Sequence, residues 1–185
     1  MKLAWVLRPN LINSDNNSGD SDYALSETVN LALSIDLKIP RAENIKVRTP
    51  KSATLFGNGF IEKVQEELIA APVDVIVVDR DLSPVQQRNL EKCWQCKVID
   101  RTGLILEIFG KRASSHEGRL QVEFAALTYQ RSRLIRAWTH LERQRGGYGF
   151  LGGPGESQIE SDRRQIDRRL KQIRKKLLIV AKNRQ

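Results

Sequence analysis

Val73-Asp74-Val75-Ile76-Val77-Val78 is the stretch on which the fold turns. It is short, β-branched and almost wholly apolar, as a strand covered on both faces of a sheet must be, so it predicts a central strand. Strand and helix signals alternate on either side of it, the pattern of parallel βα units. Upstream, Leu3 to Leu7 reads as a first short strand and Asn10 to Ser21 as a polar loop. A helix follows from about Asp22 to Asp36, with Leu25, Val29, Leu33 and Leu37 on one face. Ile45 to Arg48 is a weaker strand, and Gly57-Asn58-Gly59 leads into a helix from about Ile61 to Ile69. Downstream, Ser83 is placed to cap a helix, with Pro84 at its first position and Gln86 completing a capping box. Lys97 to Asp100 returns to the sheet, and Ile105, Ile108 and Phe109 sit on a short helix that closes the unit. The expected fold is α/β, a small, mostly parallel sheet with flanking helices over residues 1–113.

From Ser114 the periodicity changes. Ser114 and Glu117 have capping-box spacing, and Leu120, Phe124, Leu127, Leu134, Trp138 and Leu141 recur behind them at helical intervals. Ser157 and Glu160 form a second such box, followed by Ile159, Ile166, Leu170, Ile173, Leu177 and Val180. Each stripe holds two apolar residues in seven, the narrow seam of a coiled-coil pair. Residues 114–185 are therefore expected to form a long antiparallel helical hairpin, coiled-coil-like, with a glycine-rich tip loop at 143–156. At about 1.5 Å per residue each arm is roughly 40 Å long, more than a small α/β unit can cover, so the hairpin is expected to project.

Charge follows the same division. Residues 1–100 hold 12 Lys and Arg against 14 Asp and Glu, whereas residues 101–185 hold 19 against 8, giving −2 and +11. A basic segment of this kind attracts phosphate backbones, and less selectively acidic proteins or membranes. No run of about 18 apolar residues is present to span a bilayer. The start MKLAWVLRPN lacks the apolar stretch and cleavage site of a secretory signal, so the expected location is cytoplasmic, with no membrane partner. Cys93 and Cys96 form a CxxC, but a helix precedes it and a strand follows, the reverse of the redox arrangement. His116 and His140 supply no zinc spacing, so two free thiols are expected and no metal. The sequence holds no G-x-x-x-x-G-K-[ST] and no Ser/His/Asp, Cys/His or clustered-carboxylate set, so no catalytic residue is assigned in this chain.

The informative segment is Arg143-Gln144-Arg145-Gly146-Gly147-Tyr148-Gly149-Phe150-Leu151-Gly152-Gly153-Pro154-Gly155-Glu156. Six of its fourteen residues are glycine, an entropic cost that a required backbone shape or an ordering partner must offset. A dinucleotide fingerprint would need a preceding strand, and here a helix precedes it. A plain hinge remains open, although Tyr148, Phe150 and Leu151 are poor linker residues. A recognition tip fits best. Its glycines allow close approach to phosphates and bases, Tyr148 and Phe150 offer stacking faces, and Arg143 and Arg145 supply charge. Beyond the tip, Arg163, Arg164, Arg168, Arg169, Lys171, Arg174, Lys175 and Lys176 extend the cationic arm. The competing reading is a protein-interaction or dimerisation arm without RNA binding.

Several of these residues carry a family resemblance. Val98-Ile99-Asp100-Arg101-Thr102-Gly103-Leu104-Ile105-Leu106, then Ile108-Phe109, Arg112-Ala113, Glu117-Gly118 and Leu120-Gln121-Val122-Glu123, closely resemble HflX-type GTPases. So does the tip ending Gly153-Pro154-Gly155-Glu156, with Gln158, Glu160 and Asp162-Arg163-Arg164 after it. The match is specific over about seventy residues and looser before Val73. The resemblance implies the large ribosomal subunit and its rRNA as partner. The hairpin loop would reach toward the peptidyl transferase centre, in ribosome splitting or rescue under stress. It further implies that a P-loop GTPase domain, with its GTP and Mg²⁺, would follow Gln185, so those cofactors are not expected within this chain. A monomer is expected. The tip is one residue longer than the common family form, and Gly59-Phe60 stands where the family has a Gly-Lys pair.

Overall fold

The computed structural model describes residues 2–11, 18–144 and 154–182; for 18–20, 135–144 and 154–159 it describes the backbone. The chain divides into two compact units, Met1–Ile108 and Phe109–Gln185.

In the first unit, strands β1 (Lys2–Leu11), β2 (Leu37–Val47), β3 (Val75–Val78) and β4 (Lys97–Asp100) form one sheet in the order β2-β1-β3-β4. All neighbouring pairs are parallel. Each strand-to-strand step carries a helix: α1 (Ser18–Leu33), α2 (Asn58–Ala70) and α3 (Pro84–Trp94), with α4 (Arg101–Arg112) leaving β4 directly. The expected α/β class and parallel sheet are thus present, and β3 is internal, between β1 and β4. All four of its residues are buried.

Alternation along the strands builds two cores. Trp5, Leu7, Ile76, Val78 and Val98 point to one face and pack with Ile61, Val64 and Leu68 of α2 and Leu90 and Trp94 of α3. Ala4, Val6, Val75, Val77 and Ile99 point to the other and meet Ala32 of α1 and Leu104 and Ile108 of α4. The period of two in each strand lets one strand serve both layers.

Two local readings of the sequence are corrected here. The first helix ends at Leu33, and Leu37 opens β2 instead of completing the helical face. The turn is made by Asp36, whose φ of 61° lies in the left-handed region that Asp and Asn tolerate better than most residues. The strand candidate at Ile45 is only the end of an eleven-residue strand at the sheet edge. Between the pairs Leu3↔Lys38 and Trp5↔Arg41 the register shifts, so Ile39 and Pro40 stand against the single residue Ala4. Proline donates no ladder hydrogen bond and is tolerated at such a bulge on an edge strand. Arg41, next in line, lies 4.7 Å over the Trp5 ring and bridges Glu43 and Glu67, tying β2 to α2. Burial works against its charge, but hydrogen bonds to Glu43 and Glu67 outweigh that and raise its pKa.

The Ser83 cap is as read. Ser83 accepts from Gln86 N at 3.1 Å, and the Gln86 side chain accepts from Ser83 N at 2.9 Å.

The second unit holds α5 (His116–Gln144) and α6 (Pro154–Lys182), each 29 residues long. Both caps differ from expectation. Ser115, not Ser114, closes the first turn of α5, its Oγ accepting from Gly118 N at 3.0 Å and its carbonyl from Arg119 N. With the helix starting at His116, Gly118 occupies the position whose amide a capping oxygen reaches. Helix α6 starts at Pro154, so Ser157 lies within its first turn. Proline, with φ already set and no amide to satisfy, is a favoured opening residue. Of the apolar stripe residues described along α5 and α6, Leu120 and Ile173 are buried, and Leu127, Leu134, Ile166, Leu170, Leu177 and Val180 are half-buried. No helix among the described residues is long and apolar enough to cross a membrane.

Candidate nucleic-acid interface

Of the residues expected at the interface, Arg145, Gly146, Gly147, Tyr148, Gly149, Phe150 and Gly153 lie outside the described residues. Arg143 and Gln144 end α5, and Pro154, Gly155 and Glu156 open α6; their side chains also lie outside the described set. Arg163 and Arg164 are described. Both are exposed on α6 and both are engaged, Arg164 Nη2 with Glu160 Oε1 at 2.6 Å and Arg163 Nε with Asp167 Oδ2 at 4.0 Å. These are i,i+4 pairs of the kind that contribute about 0.3–0.5 kcal/mol each on a helix surface.

Two further contacts join α6 to α5. Arg169 donates from Nε and Nη2 to the two oxygens of Glu123 at 2.6 and 3.0 Å. That hydrogen bonding raises the Arg169 pKa, reinforcing a charge already permanent in water. Arg131 Nε lies 2.7 Å from Asp167 Oδ1, an ion pair by distance without the alignment of a hydrogen bond. Two residues further along α5, Arg133 stacks over Tyr129 at 4.2 Å.

Past Asp167 the pattern breaks. From Arg168 to Gln185 the sequence contains eight Lys and Arg and no Asp or Glu. Arg168, Lys171, Arg174, Lys175 and Lys176 are all exposed, and none makes an ion pair among the described residues. Among the described residues the cations before Asp167 are therefore charge-compensated, whereas past it only Arg169 is, through Glu123. A sequence reading that counts cations without asking which have acids in reach weights the two halves equally.

A second polar cluster was not singled out from the sequence. Asp79, directly after β3, has a fully buried carboxylate that accepts from Arg8 Nη1 at 2.5 Å and from Arg101 Nη1 at 3.0 Å. Arg101 also reaches Glu27 of α1 at 3.4 Å. The neighbouring Asp100 caps α4 by accepting from Gly103 N at 2.8 Å and holds Leu82 N at 3.2 Å, while Thr102 donates to Asp81 at 2.9 Å. Residues 100–102 thus tie the end of β4 to the segment after β3, and Asp79 in turn holds Arg8 of β1. With the two arginines answered by two carboxylates, the cluster is a structural clasp.

The cysteines follow suit. Cys93 and Cys96 are free and pack against the core beside Trp94. Burial, with Glu91 nearby, pushes the Cys96 thiol up to about 11, the opposite of a redox-active thiolate.

Comparison with known proteins places this architecture. A family model described as "GTP-binding GTPase N-terminal" matches residues 22–110, and one described as "GTP-binding GTPase Middle Region" matches residues 112–185. GTPase HflX of Magnetococcus marinus is 49% identical over 160 residues, covering 86% of this chain and 37% of that protein. The chain belongs to the HflX-type GTPase family. GTPase HflX of Escherichia coli is likewise 49% identical, over 75% of this chain and 32% of its own length. The chain thus spans about a third of the length of the curated relatives it matches. Among solved structures, a crystal structure of SsGBP with GDP superposes with a TM-score of 0.70 at 18% identity, covering 100% of this chain and 46% of that one. A GTP-binding protein from Sulfolobus solfataricus, also in complex with GDP, gives 0.64 at 18% identity, over 98% and 46%. At that identity the likeness establishes the fold.

The sequence has no P-loop lysine motif, and among the described residues no three His, Cys, Asp or Glu stand together as metal ligands.

Proposed function

We propose that this chain is a ribosome-docking module of an HflX-type GTPase, an α/β part over 1–113 and an antiparallel helical hairpin over 114–185. In this reading the tip at 143–156 contacts large-subunit rRNA near the peptidyl transferase centre, in splitting or rescue of ribosomes under stress. It acts as a monomer in the cytoplasm, and GTP and Mg²⁺ belong to a P-loop region beyond Gln185. The observation that supports the reading is the contact between α5 and α6. Leu120 and Ile173 are buried and Arg169 is bridged to Glu123, which turns the cationic residues of α6 outward. Family membership supplies the ribosome as the polyanion to which such a surface corresponds.

At the tip, Arg143, Gln144 and Arg145 supply charge and hydrogen bonds. Gly146, Gly147, Gly149, Gly153 and Gly155 give backbone access, Tyr148 and Phe150 stack, and Pro154 and Glu156 set the start of the return helix. Cosedimentation with purified large subunits across a salt series tests this. Arg143→Ala with Arg145→Ala, or bulky residues at Gly146 and Gly147, should weaken binding, and the arginine pair should also flatten its salt dependence. Unchanged binding in both sets would remove the tip from the interface.

A second reading, a protein-docking or dimerising arm, draws on Leu178 and Ile179, each 59% exposed on α6. A concentration-dependent dimer in light scattering, together with no retention of RNA, would favour it.

A further inference from the structure

We infer that the main phosphate grip of the module is an outward stripe on the C-terminal half of α6, Arg168, Lys171 and Lys175, and that Arg163 and Arg164 contribute little to it. The inference rests on the RNA-docking reading above and assigns its electrostatic part to particular side chains.

Geometry comes first. Positions 168, 171 and 175 are separated by three and four residues, so the side chains share one helix face. At about 100° per residue that face lies roughly opposite the seam of Ile166, Leu170, Ile173 and Leu177, in agreement with the exposure of all three cations. The stripe spans eight residues, about 10 Å of helix axis, with a cation every 5 Å or so. A nucleic-acid duplex presents one negative charge per about 1.7 Å of its axis, so each cation can meet a separate phosphate.

Availability comes second. Arg163, Arg164 and Arg169 are held by Asp167, Glu160 and Glu123. Engaging RNA with them means breaking those pairs or carrying their acids into a negative potential. Among the described residues Arg168, Lys171 and Lys175 make no ion pair; no acid follows Asp167 in the sequence, and Asp167 and Glu123 are taken by Arg131, Arg163 and Arg169.

Two plainer explanations fall short. Cations complement a helix macrodipole, but that effect fades within the last turn, and Arg168 is about four turns from Lys182. Solvated helix faces are ordinarily laced with i,i+4 pairs of opposite sign, as the first half of α6 is. An acidic protein partner is disfavoured by composition. Protein interfaces centre on apolar and aromatic groups with charge at the rim, whereas this stripe has no apolar member before Leu178.

The test uses the whole chain against two probes, purified large ribosomal subunits and protein-free large-subunit RNA. The variant Arg168→Gln/Lys171→Gln/Lys175→Gln is compared with Arg163→Gln/Arg164→Gln. A control of equal charge loss elsewhere is Lys38→Gln/Lys46→Gln/Lys92→Gln. Glutamine keeps helix propensity, and circular dichroism checks the fold. The stripe variant should bind both probes more weakly, with the slope of log K against log salt shallower by about 2 to 3. The Arg163/Arg164 pair and the control should each move it by less than about 1. The assignment is overturned if the stripe variant behaves like the control. It is also overturned if the variant loses affinity for intact subunits alone, because the stripe would then face protein. Wild-type chain that binds neither probe sinks the docking reading itself. Wild-type binding that the tip substitutions abolish and the stripe substitutions spare sinks only this inference.

Discussion

Replacing Ile173 by alanine probes the pairing on which the proposed interface depends. Ile173 has 0% exposure, while its stripe neighbours on α6 are only half-buried. It lies one turn beyond Arg169, whose partner Glu123 lies one turn beyond the other buried seam residue, Leu120. In an antiparallel pair both steps run the same way, so the two buried side chains lie together on one side of that bridge. Truncation removes three carbons, and at about 0.8 kcal/mol each the transfer loss is about 2.4 kcal/mol. A cavity adds to this in closed cores, where such changes cost about 2–5 kcal/mol, but half-buried neighbours can relax into a two-helix seam. Alanine returns about 0.4 kcal/mol in helix propensity. The expected cost is about 2–2.5 kcal/mol, read from urea unfolding followed by far-ultraviolet circular dichroism. Leu178→Ala, at a side chain 59% exposed on the same helix, should cost less than about 0.5 kcal/mol. If the two substitutions cost the same, Ile173 is not packed in a seam and the pairing argument fails.

The clasp at the strand ends makes a separate prediction. Asp79→Asn leaves Arg8 and Arg101 facing a neutral amide, and removing one partner of a buried pair costs about 3–5 kcal/mol. Because Arg101 is 39% exposed, the lower end, about 3 kcal/mol, is expected, and a loss under about 1 kcal/mol in urea would show the clasp to be dispensable. For Cys96, with its thiol raised to about 11, the folded chain keeps the proton while the unfolded chain, near 9, loses it. Stability is therefore untouched at neutral pH and falls as pH rises between those values. In a Cys93→Ser background, alkylation at pH 9 should run more than about tenfold slower in the folded than in the urea-unfolded chain, and equal rates would refute the assignment.

What could be read in the sequence was whatever has a short-range cause. The run Val75–Val78 could only be an internal strand, because nothing but a doubly covered position absorbs four consecutive apolar β-branched residues. Ser83-Pro84 with Gln86 states a helix start completely within four residues. Leu37 was misleading because it continues the four-residue spacing of Leu25, Val29 and Leu33, whereas the stop is a backbone event at Asp36. β2 gave a faint signal because an edge strand with Pro40, Arg41 and Glu43 lacks the apolar continuity of an inner one. At Ser114 and Ser115, adjacent hydroxyls compete and a matching glutamate three residues on favoured the wrong one. For the interface, the location of cations was legible, but their pairing across helices was not. Arg169 with Glu123 spans 46 residues, and no local pattern announces it.

The bulge at Ile39 and Pro40 has a consequence for how copies of the chain meet. β2, eleven residues long, is the longest strand among the described residues and stands at the rim of the sheet, where an open ladder would ordinarily invite another molecule to continue it. A visiting strand finds the row of amides kinked and one donor short near its beginning, so only the stretch from Arg41 to Val47 remains regular enough to pair with. The opposite rim, β4, is only four residues long and offers too little length to template anything. The rim best suited by size to glue molecules together is thereby shortened to seven residues.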